Sequence, residues 1–289
     1  MTTVISHFSA LRAIRRARRA YSALPWGIID DRQQAQALAS CVPNKDAIDF
    51  VALAMLDAWS EDDSERLDLL VAGGNNRRPD GRLLQHSVTA PLPAEAIMHI
   101  EADIYATSPA MTAMLCSRNE PVAKVLMLLM ELLGSYSLPP EITNPIAHDD
   151  TWPKAGSSEA MDDLDCHGGQ PAPGKQDETR YEQAHYKCEP ATTINELEAV
   201  AQFAKSSSYA SFRTAVRLAR AGSASPAESL MFAVLGAPMR FGGFGCCSLP
   251  MGGLLLNHRI DFDTLAVNMS SGIPYAICDL YCPAAGVDN

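Results

Sequence analysis

Residues 139 to 190 divide this chain. They are rich in Pro, Gly, Ser, Asp and Gln and show little hydrophobic periodicity, whereas the residues on either side carry regular apolar patterns. A segment of that length and composition buries too little apolar surface to offset its ordering entropy, so it reads as a linker or an exposed insertion. The pattern-bearing parts are then 1–138 and 191–289 of a 289-residue chain. At that size a single core commonly gives way to two.

In the first part, Phe8, Leu11, Ile14 and Ala17 recur at helical spacing with arginines between them, which predicts an amphipathic helix over 7–26 ending near Pro25. An arginine run on one helix is ordinarily a solvated face or a partner-binding patch. It is also the best candidate here for DNA contact, with Arg12, Arg15, Arg16 and Arg19 as the residues that would meet phosphate. A formal charge of -11 confines any such contact to a local surface. Residues 32–60 continue in helical composition, with Ile48, Val51, Ala52, Met55 and Leu56 as an apolar stripe. From 67 to 107 the pattern changes to short, partly β-branched runs separated by Gly, Asn and Pro, which predicts a small sheet. Ser108-Pro109 then opens a helix, and 122–136 is a longer one, apolar on several faces and so buried, with Met127 and Met130 filling core gaps.

The basic N-terminus leads into no uninterrupted apolar stretch of the kind a secretory signal needs. The longest apolar run, Val122 to Leu133, contains Lys124 and Glu131 and falls short of the roughly 20 residues of a membrane span. A membrane partner is not expected. Eight cysteines without dense, regular spacing point to reduced thiols and a cytoplasmic protein. Cys166, His167, His185 and Cys188 lack the paired short spacings of a zinc finger or ribbon.

In the last part, helical patterns cover 194–203 and 209–221, the second closing on Arg213, Arg217, Arg220 and then Gly222. Ser225-Pro226-Ala227-Glu228 opens an apolar helix, a loop follows at Gly242, Gly243 and Gly245, and two strand-like segments cover 254–260 and 274–281. Ser at the N-cap, Pro at N1 and Glu at N3 make a capping box, which accounts for Glu228 without any catalytic role. Asp279 sits among Tyr275, Ile277, Leu280 and Tyr281. An acid in such a strand is disfavoured unless it is exposed at an edge, hydrogen-bonded or holding a cation. Asp261 and Asp263, flanking Phe262, share one face of an extended segment and read as solvated acids.

The run 222–235, the glycine-rich stretch 240–246, Leu256-Asn257-His258-Arg259-Ile260 and Cys278-Asp279-Leu280-Tyr281 together resemble a bacterial family. Its members pair a middle region similar to abortive-infection, AbiEi-like antitoxins with a C-terminal Vsr-like nuclease domain. A fainter likeness covers 67–138, including Glu131-Leu132-Leu133-Gly134-Ser135-Tyr136, and Ile5-Ser6-His7-Phe8-Ser9-Ala10-Leu11 also matches, while 139–190 has no counterpart. The resemblance implies an α+β chain: a helical unit and a small β-rich unit, then a partial restriction-endonuclease-like α/β domain of the PD-(D/E)XK kind.

By the same resemblance Glu228 is the helix acid and Asp279 the strand acid, both catalytic and both ligands of Mg²⁺. A bound Mg²⁺ activates water and stabilises the charged transition state of phosphodiester hydrolysis. The family pattern then requires a Glu-x-Lys or Gln-x-Lys strand, but no lysine follows Lys205 in this chain, which runs to Asn289. The expectation is a DNA-directed protein with an incomplete or degenerate endonuclease-like domain, as a fragment or a truncated descendant. The alternative is a non-enzymatic AbiEi-like antitoxin or transcriptional regulator that holds DNA through the basic helix and answers to a cognate toxin or other protein partner. Against it, residues 1–60 show no turn glycine at helix-turn-helix spacing.

Overall fold

Three residues, Thr3–Ile5 (β1), organise the larger sheet: β1 runs parallel to Ile104–Thr107 (β6) and antiparallel to Leu67–Ala72 (β3). The computed structural model describes residues 2–41, 44–61, 66–73, 81–140, 184–248, 253–261 and 275–283. Outward from β1, β3 pairs in parallel with Leu83–Val88 (β4); on the other side β6 pairs antiparallel with Ile97–Glu101 (β5), which carries the short edge strand Gly27–Ile28 (β2). The mixed six-stranded order is β2-β5-β6-β1-β3-β4. The Cys166, His167 half of the zinc grouping, Asp263, and nearly all of the predicted linker lie outside the described residues.

Eight α-helices lie among the described residues: His7–Tyr21 (α1), Asp31–Ser40 (α2), Phe50–Met55 (α3), Pro109–Cys116 (α4), Val122–Leu133 (α5), Ile194–Phe203 (α6), Ala210–Leu218 (α7) and Pro226–Gly236 (α8). Two hairpins complete the fold: Tyr136–Ser137 (β7) with His185–Tyr186 (β8), and Leu255–Asp261 (β9) with Tyr275–Tyr281 (β10). The chain is an α+β protein. Several of its helices start where a side chain takes over unpaired amides of the first turn. Asp30 with Gln33 and Thr193 with Glu196 form reciprocal capping boxes at α2 and α6. The predicted helix over 7–26 ends earlier, at Tyr21, because Ser22 turns left-handed and closes on the Arg18 carbonyl.

One buried cluster joins the sheet to the helices on both sides of the linker, from Ile5, Leu67 and Leu69 through Leu126, Leu129 and Met130 of α5 to Phe212 of α7 and Phe232 of α8. As its pattern predicts, α5 is buried on several faces. A second cluster, with Val4, Leu70, Val71 and Ile97, lies beneath Ala37 and Leu38 of α2. The strand β3 is therefore covered on both faces, which explains why its residues other than Asp68 are all apolar. Residues 184–190, compositionally part of the linker, include β8 and the buried Cys188, whose amide donates to the Ser135 carbonyl at 3.1 Å.

Candidate functional site

The arginines of α1 separate into two sets. Arg12, Arg15 and Arg18 are buried, at 5%, 1% and 0% exposure. Arg15 grips Glu131 of α5 with two hydrogen bonds of 2.8 and 2.7 Å. Arg18 donates to the backbone carbonyls of Glu131, Gly134 and Glu189, which satisfies carbonyls at the end of α5. Arg12 donates to the Ala58 carbonyl at 3.0 Å. The fold thereby withdraws Arg12 and Arg15 from the DNA surface expected of them. Arg16 remains exposed, 3.5 Å from Asp57, and Arg19 is half-buried.

Glu228 occupies the first turn of α8, where Ser225 caps the helix by accepting from the Glu228 amide at 3.1 Å. Its carboxylate accepts from the Ala224 amide at 2.9 Å, the Ser225 hydroxyl at 3.1 Å and the Asn257 side-chain amide of β9 at 2.9 Å. Asn257 adopts φ 48°, a left-handed conformation that asparagine tolerates better than most residues, and also donates to the Gly222 carbonyl. The residue thus clamps the helix start to the first strand of the hairpin. Asp279 is exposed on β10, between Cys278, which pairs with His258, and Leu280, which packs against the core. Exposure removes the burial penalty that made an acid there unexpected.

Mg²⁺ asks for near-octahedral oxygen donors and keeps several waters. The Glu228 carboxylate is already engaged by three donors, and no group of three or more ligating side chains among the described residues contains Glu228 or Asp279. These residues do not fit the ion as they stand.

A different cluster forms where α1 enters. Ser6 donates its amide to the Asp68 carbonyl and Ser9 accepts from the Asp68 amide, both at 3.0 Å, so Asp68 lies against the start of α1. In the parallel register Asp68 stands opposite Leu84 and Leu70 opposite His86, which makes Asp68 and His86 diagonal neighbours on one face. His86 Nε2 lies 2.7 Å from Asp68 Oδ1. His7, held at φ 47°, stacks on His86 with ring centroids 3.5 Å apart, and its Nδ1 is 3.0 Å from Ser6 Oγ. Burial first, then the neighbouring His86 and Arg118, push the His7 imidazole down to about 3, so it is neutral near pH 7. His7, Asp68 and His86 offer ligating atoms that all lie within 4.8 Å of one another. Sequence reading passes over this group because its members are 18 to 79 positions apart and each alone is an ordinary polar residue. The left-handed backbone of His7 has no local signature.

No family model, curated protein or solved structure matches this chain. No helix among the described residues is long and apolar enough to cross a membrane.

Proposed function

We propose that this chain is a DNA-directed protein in which α8, β9 and β10 form the opening part of a restriction-endonuclease-like unit whose acidic residues no longer cut. The observation that carries this reading is the Glu228 carboxylate, spent on Ala224, Ser225 and Asn257 and so holding helix to strand. The order helix, loop, strand, strand over α8, β9 and β10, with Asp279 on the second strand, supports the reading. Hydrolysis would need further ligands for Mg²⁺ beside Glu228 and Asp279 and a lysine to position water. Arg259 on β9, Arg240 after α8 and Arg16 on α1 are among the exposed cations of the described residues, where phosphate could be met.

Incubation of the full chain with supercoiled plasmid and Mg²⁺ tests the reading. The expected result is retention of DNA in a protein complex without nicking; nicking that disappears in both Glu228→Ala and Asp279→Ala would overturn the non-cutting assignment.

One observation favours a second reading, a regulator that engages a protein partner such as a cognate toxin. Leu230, Met231 and Val234 are exposed together on one face of α8. Coexpression with the product of an adjacent gene should then give a complex on size exclusion that Leu230→Asp abolishes. A complex that survives this change removes the support.

A further inference from the structure

We propose that His7, Asp68 and His86 form a binding site for one borderline-soft divalent transition ion, with Zn²⁺ the best chemical fit. Two imidazoles and one carboxylate make an N₂O donor set, which suits Zn²⁺ and its first-row neighbours and not the oxygen-only preference of Mg²⁺ or Ca²⁺. The three groups come from three elements, α1, β3 and β4, so an ion here would pin the start of the first helix to two strands of the sheet.

The second coordination sphere is already arranged. Ser6 Oγ sits 3.0 Å from His7 Nδ1 and can accept a hydrogen bond from its N–H, which leaves the Nε2 lone pair of that ring to the ion. The Asp68 backbone is fixed at both its amide and its carbonyl, by Ser9 Oγ and the Ser6 amide. A non-glycine residue held at φ 47° is strained, and His7 keeps that backbone while its ring faces the other two ligands. The His86 side chain is 25% exposed, which provides an entry path and room for a water as fourth ligand.

Ligand atoms within 4.8 Å of one another are near the spacing an ion imposes; metal bonds of about 2.0 to 2.2 Å bring them within about 4 Å. Binding therefore requires small movements. The Asp68–His86 hydrogen bond gives way to the ion, and the stacked rings separate so that each presents a nitrogen edge-on. Asp68 offsets one positive charge of the ion, while Arg118, which acts on His7 through its charge, opposes the remainder. The site is independent of the α8–β9–β10 unit, so DNA binding and metal binding stand or fall separately.

The test uses the full chain, stripped with a chelator and exchanged into clean buffer, then titrated with Co²⁺ and with Zn²⁺ by calorimetry and visible absorption. The expected result is one ion per chain, a low-symmetry Co²⁺ spectrum without thiolate charge-transfer bands, and displacement of Co²⁺ by Zn²⁺. His7→Ala, Asp68→Asn and His86→Gln should each weaken binding by about 100-fold or more, beyond the usual effect of changing outer-sphere partners. Cys278→Ser and His185→Ala should leave it unchanged. His86→Gln alters a partly exposed side chain and keeps the test usable if the buried variants fail to fold. Absence of saturable binding, equal affinity in wild type and His86→Gln, or thiolate bands in the Co²⁺ complex would each overturn the proposal.

Discussion

Arg15 and Glu131, 116 residues apart in the chain, meet in a two-bond ion pair in which each side chain is 1% exposed. It joins the first helix to the middle of the fold. Such a pair is costly to desolvate, so its worth lies in what happens when one member is left alone. Glu131→Ala should lower the unfolding free energy by about 3–5 kcal/mol, measured by urea denaturation. Arg15→Met combined with Glu131→Leu should recover most of that loss. A single variant as stable as wild type would contradict the buried pairing.

Tyr136 reports on the joint between β7 and α8. Its hydroxyl donates to Ser229 Oγ at 2.8 Å, and Ser229 in turn shares a 2.8 Å hydrogen bond with Ser223. Removing that hydroxyl in Tyr136→Phe should cost about 1 kcal/mol. Burial, reinforced by Glu131, pushes the phenol above its ordinary value of 10.0. A raised folded-state value contributes stability that is fully present below the unfolded value and lost as pH rises through the folded one. Wild type should therefore lose stability more steeply than Tyr136→Phe above pH 10, and denaturation midpoints across the alkaline range measure the difference.

Gly134 sits where two backbones converge. A Cβ there would lie 2.6 Å from the Ser223 carbonyl oxygen and 2.8 Å from that of Met130. Gly134 also offers its own carbonyl to Arg18 at 2.7 Å, so it has little room to shift. Gly134→Ala should destabilise the chain by about 1–3 kcal/mol through overpacking, read as a lower thermal midpoint. An unchanged midpoint would mean that the two segments separate easily.

The clamp at Glu228 makes a contrast with Asp279. Glu228→Ala leaves three donors without their acceptor, at a cost of about 1–2 kcal/mol. Asn257→Ala should share part of that cost and be less than additive with it, because both remove the same contact. Asp279→Ala, on an exposed position, should stay within about 0.5 kcal/mol of wild type. Equal destabilisation by Glu228→Ala and Asp279→Ala would contradict the division of roles.

Much of the fold is legible in local pattern. The sheet expected over 67–107 holds β3 to β6, 194–203 is α6, and Ser225-Pro226 opens α8. The strands are short runs bounded by turn residues and the helices carry side-chain caps, which are short-range signals. The strand β1 has three residues and no period to detect, yet it holds the centre of the sheet. The arginines show the limit most clearly. Spacing alone places Arg12 and Arg15 on a solvated face, while Glu131 and the Ala58 carbonyl, far along the chain, draw them inside. The acids divide in the same way. The Ser225 cap on the Glu228 amide is local and readable, but the Glu228 carboxylate turns to the Ala224 amide and the Ser225 hydroxyl rather than to the amide of Ser225. Its bond to Asn257, like the meeting of His7, Asp68 and His86, depends on long-range topology.

The proposed binding of DNA without cleavage is tested by a native gel shift of labelled duplex with the full chain in Mg²⁺ buffer, across a salt series. The expected result is a retarded complex at low salt that weakens as salt rises, with a shallow dependence set by few phosphate contacts, and intact strands throughout. Absence of a complex at low salt, or shortened strands in the Mg²⁺ lanes, would contradict it.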